Sequence, residues 1–319
     1  MKVLCSMPGK TGDILWSLPT CRAIADAAEE PVDLLLSHQY GNVSLRKLIE
    51  GAPYISQTYA DPLWSVQDTA PLSPSRPREM IRPDSQGIGP GAPYDKTIHL
   101  GYETWPLSLL PADIYVRATA SWGSPLPEID LDTPWLLQPV SPEEPFTGDE
   151  FGQSVYQEWG EQHHPHVHIG WSEEHVELKA GLIYALIGGL PGHDFRVVTH
   201  AGSRLATEWL QNFPGTTDSF NECFENVSWY TGDWILTAHA LANSRLFVGC
   251  LSAQWVLANA LGIRTVIVEP AKARHNPIFF YNHPRNTMLL GGDGLPTFDA
   301  RHLCDKVKEK LQRELPPTV

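Results

Sequence analysis

The sequence predicts an α/β protein made of two doubly wound, Rossmann-like domains. Short apolar strands alternate with amphipathic helices in both halves, and a proline-rich, acidic stretch at residues 124–150 separates them. Alternation of this kind implies right-handed β-α-β crossovers and parallel sheets. At 319 residues the chain is long enough for two separate cores. We therefore expect one domain at residues 1–150 and another at 151–319.

The elements of the first half follow from short apolar runs bounded by turn residues. Strands are predicted at 2–7, 32–38, 55–60 and 94–102. Helices are predicted from near Asp13 onward, at 44–53 and at 109–120. Residues 61–93 are rich in Pro, Gly and Ser and have no periodicity, and a loop this long inside a domain is usually functional or mobile.

The second half shows the same alternation more clearly. Strands are predicted at 166–171, 195–200, 245–250 and 264–270. Helices are predicted at 173–190, 232–244, 252–262 and 299–315. Ligands of doubly wound folds bind outside the carboxyl ends of the strands, so the expected site is a cleft in which the two domains face each other.

Composition and charge exclude several classes of protein. A net charge of −14 disfavours nucleic acid as a partner, because Lys and Arg supply most non-specific affinity for phosphates. No apolar run reaches the roughly 18 residues of a membrane span, and the apolar stretch at the N-terminus is too short for a signal peptide. We therefore expect a cytoplasmic protein without a membrane span.

Metal and disulfide sites are not expected. The five cysteines are scattered and form no C-x-x-C pair. The run HHPHVH at 163–168 straddles the start of a predicted strand, and no carboxylate or cysteine joins it at ligand spacing. The run is therefore interpreted as the edge of a strand.

The N-terminal stretch MPGKTGDILWSLPTCRAI, residues 7–24, resembles a phosphate loop only at first sight. A P-loop needs a glycine five positions before the one that precedes its lysine, and Leu4 occupies that position relative to Gly9. A dinucleotide fingerprint needs three glycines, and only Gly9 and Gly12 are present. What remains is a strand, a tight loop and a helix.

Two stretches carry a resemblance to a known family. TGDILWSLPTCRAI and LANSRLFVGCLSAQWVLANALGIRTVIVEP are similar to the two signatures of the heptosyltransferase-like glycosyltransferases, glycosyltransferase family 9. The resemblance implies a GT-B fold and inverting transfer that needs neither metal nor cofactor. It also implies a nucleotide-sugar donor on the C-terminal domain and a hydroxyl acceptor on the N-terminal domain.

The resemblance implies that Asp13, the aspartate of the Gly-Asp pair, is the general base. Inverting transfer needs a carboxylate that takes the proton of the acceptor hydroxyl. The alternative is that Asp13 only caps its helix, since Asp is among the preferred capping residues. Lys10, Thr11 and Gly12 then form the acceptor loop.

Donor-binding residues are expected in the second domain. Gly249, Ser252 and Gln254 lie at a strand end and a helix start, where backbone N–H groups meet phosphate oxygens, and Ser252 is equally well explained as a cap. The loop after residue 268 supplies further candidates for the diphosphate and the ribose, namely Glu269, Lys272, Arg274, His275 and Asn276.

The chain departs from the family in the second signature. Where the family commonly has Asp-Thr-Gly and then a histidine, this chain has Leu251, Ser252, Ala253 and, at the histidine position, Val256. These differences leave two alternatives to transfer onto an ordinary hydroxyl acceptor. One is a nucleotide or nucleotide-sugar binding protein with altered or lost catalysis. The other is transfer to a modified nucleic-acid base, which the net charge disfavours.

Overall fold

The structure is a computed structural model that describes residues 1–7, 9–37, 41, 43–61, 94–101, 111–137, 166–170, 185–186, 188–200, 227–269, 282–290 and 299–312. The chain divides into two compact units, Met1–Leu137 and Gln138–Val319. The expected boundary at residues 150 and 151 lies outside the described residues, so that position stays a prediction. None of the helices within the described ranges is long and apolar enough to cross a bilayer.

Unit 1 contains a parallel sheet with strand order β3-β2-β1-β4. Its strands are β1 Val3–Met7, β2 Val32–Ser37, β3 Ile55–Asp61 and β4 Lys96–His99. Its helices are α1 Thr11–Ala28, α2 Val43–Glu50 and α3 Pro111–Trp122. Every described strand and helix was predicted, with ends that shift by one or a few residues. The loop predicted at residues 61–93 as functional or mobile lies, from residue 62 onward, outside the described ranges.

Helix α1 is buried along most of its length and contains a proline. Pro19 has no N–H to donate to the carbonyl of Leu15, four residues earlier. The indole Nε1 of Trp135 donates to that carbonyl at 3.3 Å, and the Trp135 ring lies 5.8 Å from the ring of Trp16. A side chain from another part of unit 1 thus replaces the hydrogen bond that the helix lacks.

The segment that follows α3 begins the proline-rich stretch predicted as a linker or domain edge, and its described part packs on unit 1. Leu126, Trp135 and Leu136 are buried. The hydroxyl of Tyr115 donates to the Leu126 carbonyl at 2.8 Å, and that of Tyr54 donates to the Trp135 carbonyl. The proline-rich composition concealed these anchors, because buried aromatic and leucine side chains are spaced irregularly along the segment.

Unit 2 contains a parallel sheet with strand order β10-β9-β8-β5-β6-β7. Its strands are β5 His166–Ile169, β6 Phe195–His200, β7 Val227–Gly232, β8 Ser244–Gly249, β9 Thr265–Glu269 and β10 Asn286–Leu290. Its helices are α4 Trp234–Ala242, α5 Ala253–Ala260 and α6 Ala300–Gln312. Strands β7 and β10 were not predicted. Most of the helix predicted at 173–190 lies outside the described residues.

The two faces of the unit 2 sheet differ in polarity. One face is apolar, with Val167, Val197 and Val248 packed in a cluster that includes Leu303 and Val307 of α6. The other face carries a row of residues in register across five strands, and paired residues of neighbouring strands share a face. This row is Arg196, His168, Phe247, Thr265 and Asn286.

Each sheet has one point at which the strand order reverses. In unit 1 the chain proceeds outward from β1 to β3 and then returns to place β4 on the other side of β1. In unit 2 it proceeds from β5 to β7 and then places β8 on the other side of β5. Such switch points are where ligands bind in doubly wound folds. We therefore call the carboxyl ends of β1 and β4 switch point 1, and those of β5 and β8 switch point 2.

Candidate functional site

The loop at switch point 1 is closed so tightly that one position requires glycine. A Cβ built on Gly9 would lie 2.5 Å from the Cβ of Asp13 and 2.9 Å from its Oδ2. The loop therefore folds directly against the first turn of α1, and its close contact is with the residue that was predicted as the base.

Asp13 is the third residue of α1, and its carboxylate faces back to the start of the helix. The backbone N–H of Lys10 donates to Asp13 Oδ2 at 2.9 Å, which is the arrangement of an N3 acid in a capping box. Asp13 is half-buried. One oxygen of the carboxylate thus has a structural partner, which fixes the orientation of the group.

The predicted acceptor loop lies around this carboxylate. Lys10 is exposed and precedes the helix, Thr11 is its buried first residue, and Gly12 is half-buried beside Asp13. The helix therefore begins two residues before the predicted start at Asp13. The structure supports capping by Asp13 directly, and capping through one oxygen is compatible with proton transfer at the other.

A second polar pair lies at switch point 1, and no sequence pattern predicted it. Ser6 and His99 are partners in the last pair of the β1–β4 ladder, and Ser6 Oγ lies 3.1 Å from His99 Nδ1. The backbone N–H of Leu100 donates to the Ser6 carbonyl at 2.8 Å, which extends the pairing beyond the ladder. These residues are 93 positions apart in the sequence, so no local pattern indicates their contact.

Switch point 2 is built from two glycines and one aromatic ring. A Cβ on Gly170, directly after β5, would lie 2.0 Å from Phe247 Cζ. A Cβ on Gly249, the last residue of β8, would lie 3.0 Å from the same atom and 3.1 Å from the Gly170 Cα. The ring of Phe247 therefore extends across both strand ends, and only glycine fits at Gly170. Gly249, predicted to bind the donor, lies at the carboxyl end of its strand as expected.

His168 is buried next to this ring. Its imidazole stacks on Phe247 with centroids 5.9 Å apart and an interplanar angle of 16°. Burial lowers the pKa of His168 to about 4; an interaction with the Gln254 side chain opposes that shift, and the charge of Arg196 adds to it. His168 is therefore neutral at pH 7.

The remaining predicted residues near switch point 2 start helix α5. Ser252 is the N-cap, and its Oγ accepts a hydrogen bond from the Trp255 backbone N–H at 3.3 Å. Gln254 is only 2% exposed and interacts with His168, so its side chain lies beneath the helix start.

A closed set of hydrogen bonds holds α5 on the sheet. Trp255 Nε1 donates to Thr265 Oγ1 at 3.2 Å, and Thr265 Oγ1 donates to Asn286 Oδ1 at 2.9 Å. Asn286 Nδ2 donates to Asn259 Oδ1 at 2.9 Å, and Asn259 Nδ2 donates to the Trp255 carbonyl at 3.0 Å. All four side chains are buried, so the start of α5 has a fixed position relative to β9 and β10.

The predicted donor residues at and beyond the end of β9 lie largely outside the described part of the chain. Glu269 is the last residue of β9, and its side chain is not described. Lys272, Arg274, His275 and Asn276 lie outside the described residues.

His166 and His168, from the histidine-rich run, lie within β5 and are buried. Within the described ranges, no three His, Cys, Asp or Glu residues are grouped as metal ligands.

Comparison with known proteins identifies the fold. No protein-family model matches the chain, and no curated protein sequence matches it. Among solved structures, the heptosyltransferase WaaC of E. coli with ADP is similar at 13% identity, with a TM-score of 0.61 and coverage of 97% of this chain and 100% of that chain. A glycosyl transferase of family 9 from Veillonella parvula is similar at 14% identity, with a TM-score of 0.62 and coverage of 97% of both chains.

The same architecture also occurs in another kind of enzyme. A UDP-GlcNAc 2-epimerase from Methanocaldococcus jannaschii is similar at 11% identity, with a TM-score of 0.52 and coverage of 98% of this chain and 94% of that chain. Fold alone therefore does not decide the reaction. The two parallel sheets with their helices, together with these similarities, confirm the predicted fold class: the chain has the GT-B, heptosyltransferase-like fold, in a divergent sequence.

Proposed function

We propose that this protein is an inverting glycosyltransferase in which Asp13 is the general base and unit 2 holds a nucleotide sugar. The observation that carries the proposal is the fixed carboxylate of Asp13 at switch point 1, in a chain with the fold of solved heptosyltransferases. The Lys10 N–H holds one carboxylate oxygen, and the other oxygen is the one proposed to receive the proton.

The proposed reaction is a single displacement. The oxygen of the acceptor hydroxyl attacks the anomeric carbon of the donor sugar and forms the new glycosidic bond. The bond between that carbon and the diphosphate oxygen breaks, and the nucleoside diphosphate leaves with the electron pair. The hydroxyl proton passes to the Asp13 carboxylate. Attack from the face opposite the leaving group inverts the anomeric configuration.

The leaving diphosphate is proposed to lie at switch point 2. The N-terminus of α5, which begins just beyond β8 and is capped by Ser252, supplies N–H groups and a positive dipole end. Solved structures of WaaC hold ADP and ADP-2-deoxy-2-fluoro heptose, so an ADP-linked sugar is the first donor to test. No metal or cofactor is part of the proposal.

Charged residues beyond β9 complete the proposed donor site. Lys272 and Arg274 would neutralise the diphosphate, because cationic donors to phosphate oxygens make strong hydrogen bonds. Glu269 would accept hydrogen bonds from ribose hydroxyls, with His275 and Asn276 beside it on the same loop.

The Asp13→Asn variant tests the base. Asparagine has the same shape and still accepts a hydrogen bond from the Lys10 N–H, so capping is retained and proton transfer is lost. We expect transfer from an ADP-sugar to fall by about 10²- to 10⁴-fold, the usual contribution of a general base. The melting temperature should change little.

Asp26→Asn is the matched control, because Asp26 lies exposed on the same helix. It should leave transfer unchanged. If Asp13→Asn transfers sugar at the wild-type rate, Asp13 is not the base and acts only as a cap.

A second candidate function, nucleotide binding without catalysis, is favoured by the positions at which the chain departs from the second family signature. Val256 is 4% exposed, so the side chain at the family's histidine position is packed inside unit 2. A binding protein without catalysis would still be stabilised by a nucleotide, because selective binding to the native state raises the melting temperature. A rise in melting temperature with ADP, without transfer from any nucleotide sugar to any acceptor, would favour this function.

A further inference from the structure

We propose that His99, oriented by Ser6, is a second residue that contacts the acceptor, and that the acceptor it recognises is a saccharide. This inference rests on the proposed glycosyl transfer, and it assigns a residue that neither the sequence patterns nor the family resemblance indicated.

The position of His99 follows from strand topology. His99 is the last residue of β4, and β4 is paired with β1, the strand that leads through Gly9 to Asp13. The two strands enclose the point where the strand order reverses, which is the position at which doubly wound sheets bind ligands. One strand end thus supplies Asp13 and its neighbour supplies His99.

The orientation of His99 is controlled by Ser6. The Ser6 Oγ lies 3.1 Å from Nδ1, and the Ser6 side chain is buried. A hydrogen bond at one ring nitrogen restricts the tautomer and the ring plane, which is how proteins prepare an imidazole for binding or catalysis. His99 itself is half-buried, as a residue at the edge of a binding site should be.

The chemistry of the pair indicates the class of acceptor. A serine hydroxyl and an imidazole can each take part in hydrogen bonds with a hydroxyl group. Such groups match the hydroxyls of a sugar ring, whereas binding to phosphate or carboxylate usually relies on Arg or Lys. A saccharide whose reacting hydroxyl is activated by Asp13 would place another hydroxyl on His99.

The test compares His99→Gln with His302→Gln. Glutamine retains a polar group that can bond to Ser6, and His302 is exposed on α6, so the same substitution there is the control. With an ADP-sugar at saturation, we expect His99→Gln to lower kcat/KM for the saccharide acceptor by about tenfold, mainly through KM, as the loss of one hydrogen bond predicts. The shift in melting temperature caused by ADP should be unchanged in both variants.

The Ser6→Ala variant separates the orientation of the His99 ring from the contact of that ring with the acceptor. It should lower kcat/KM for the acceptor by a smaller factor than His99→Gln, because the imidazole remains and only its partner is removed. If His99→Gln behaves like His302→Gln while Asp13→Asn abolishes transfer, the inference about His99 is wrong and the proposed function stands.

A binding measurement decides the case in which the wild-type protein transfers no sugar. The ring signals of His99 and His302 are followed by NMR while methyl α-D-glucopyranoside, methyl α-D-mannopyranoside and methyl β-D-galactopyranoside are added. Selective movement of the His99 signals would support a saccharide site at switch point 1 even though the proposed reaction had failed. Signals that stay in place with all three probes would overturn the inference.

Discussion

The two switch points have the same strand topology but differ in the residues at their strand ends. Switch point 1 presents the side chains of Ser6, His99 and Asp13, which are held by hydrogen bonds. Switch point 2 presents Gly170 and Gly249, whose strand ends approach so closely that the Phe247 ring fills the space in which a side chain would begin. Polar side chains therefore lie at the strand ends of one sheet, whereas glycine backbone packed against an aromatic ring forms the strand ends of the other.

The difference suits two halves of a group transfer. Proton transfer needs an ionisable side chain at a fixed place, which backbone cannot supply. A diphosphate is bound well by N–H groups at a helix start, and α5 begins at Ala253, just beyond the end of β8. The residues at the two switch points therefore support the proposal of proton transfer in unit 1 and nucleotide binding in unit 2.

The largest expected effect is that of a side chain at switch point 2. Gly170→Ala puts a Cβ 2.0 Å from Phe247 Cζ, so the ring or the strand has to move. Overpacking of this kind costs about 3 kcal/mol in the free energy of unfolding. Urea unfolding of the variant measures this loss.

Gly188→Ala is the matched control, since a Cβ there would meet nothing within 4 Å. It should leave stability unchanged or raise it by up to about 1 kcal/mol, because Gly188 is helical. The double variant Gly170→Ala, Phe247→Leu should lose less than the sum of its parts, because leucine leaves room for the new methyl. Additive losses would show that the ring does not set the requirement for glycine.

Sequence patterns predicted the architecture because it depends on local signals. The apolar runs of β1, β2, β8 and β9 are bounded by turn residues, and Gly12 and Asp13 mark the start of α1 near its observed position. Strands β7 and β10 were missed because VSWYTG mixes polar and aromatic residues and NTMLL is short. Neither stretch shows a clear alternation of apolar and polar residues.

The residues that meet at the two switch points could be predicted only in part. Asp13, Gly249 and Ser252 lie in recognisable stretches of sequence. The contacts of Ser6 with His99, and of Phe247 with Gly170, join residues that are distant in the sequence and meet only when the strands pair. The role of Trp135 could not be predicted for a similar reason. Its indole donates to the Leu15 carbonyl, which has no helical donor because Pro19 lies four residues later in α1.

A smaller effect is expected from the helix that carries Asp13. Trp135→Phe keeps an aromatic ring beside Trp16 and removes the N–H that donates to the Leu15 carbonyl. A buried carbonyl without a partner costs about 1–3 kcal/mol. Thermal or urea unfolding measures the loss.

The rescue variant is Pro19→Ala, which restores a backbone N–H four residues after Leu15. Its stabilising effect should be larger in the Trp135→Phe background than in the wild type, because only there does the Leu15 carbonyl lack a donor. Equal effects in both backgrounds would mean that Trp135 stabilises α1 by packing alone.

The most direct measurement is hydrogen exchange of the backbone amides with and without saturating ADP. If the nucleotide binds at switch point 2, ADP should slow exchange in peptides that contain Gly249 to Trp255. Exchange in peptides that contain Gly9 to Leu15 should be the same with and without ADP. Protection at Gly9 to Leu15 with none at Gly249 to Trp255 would place the nucleotide on unit 1 and contradict the assignment of the two switch points.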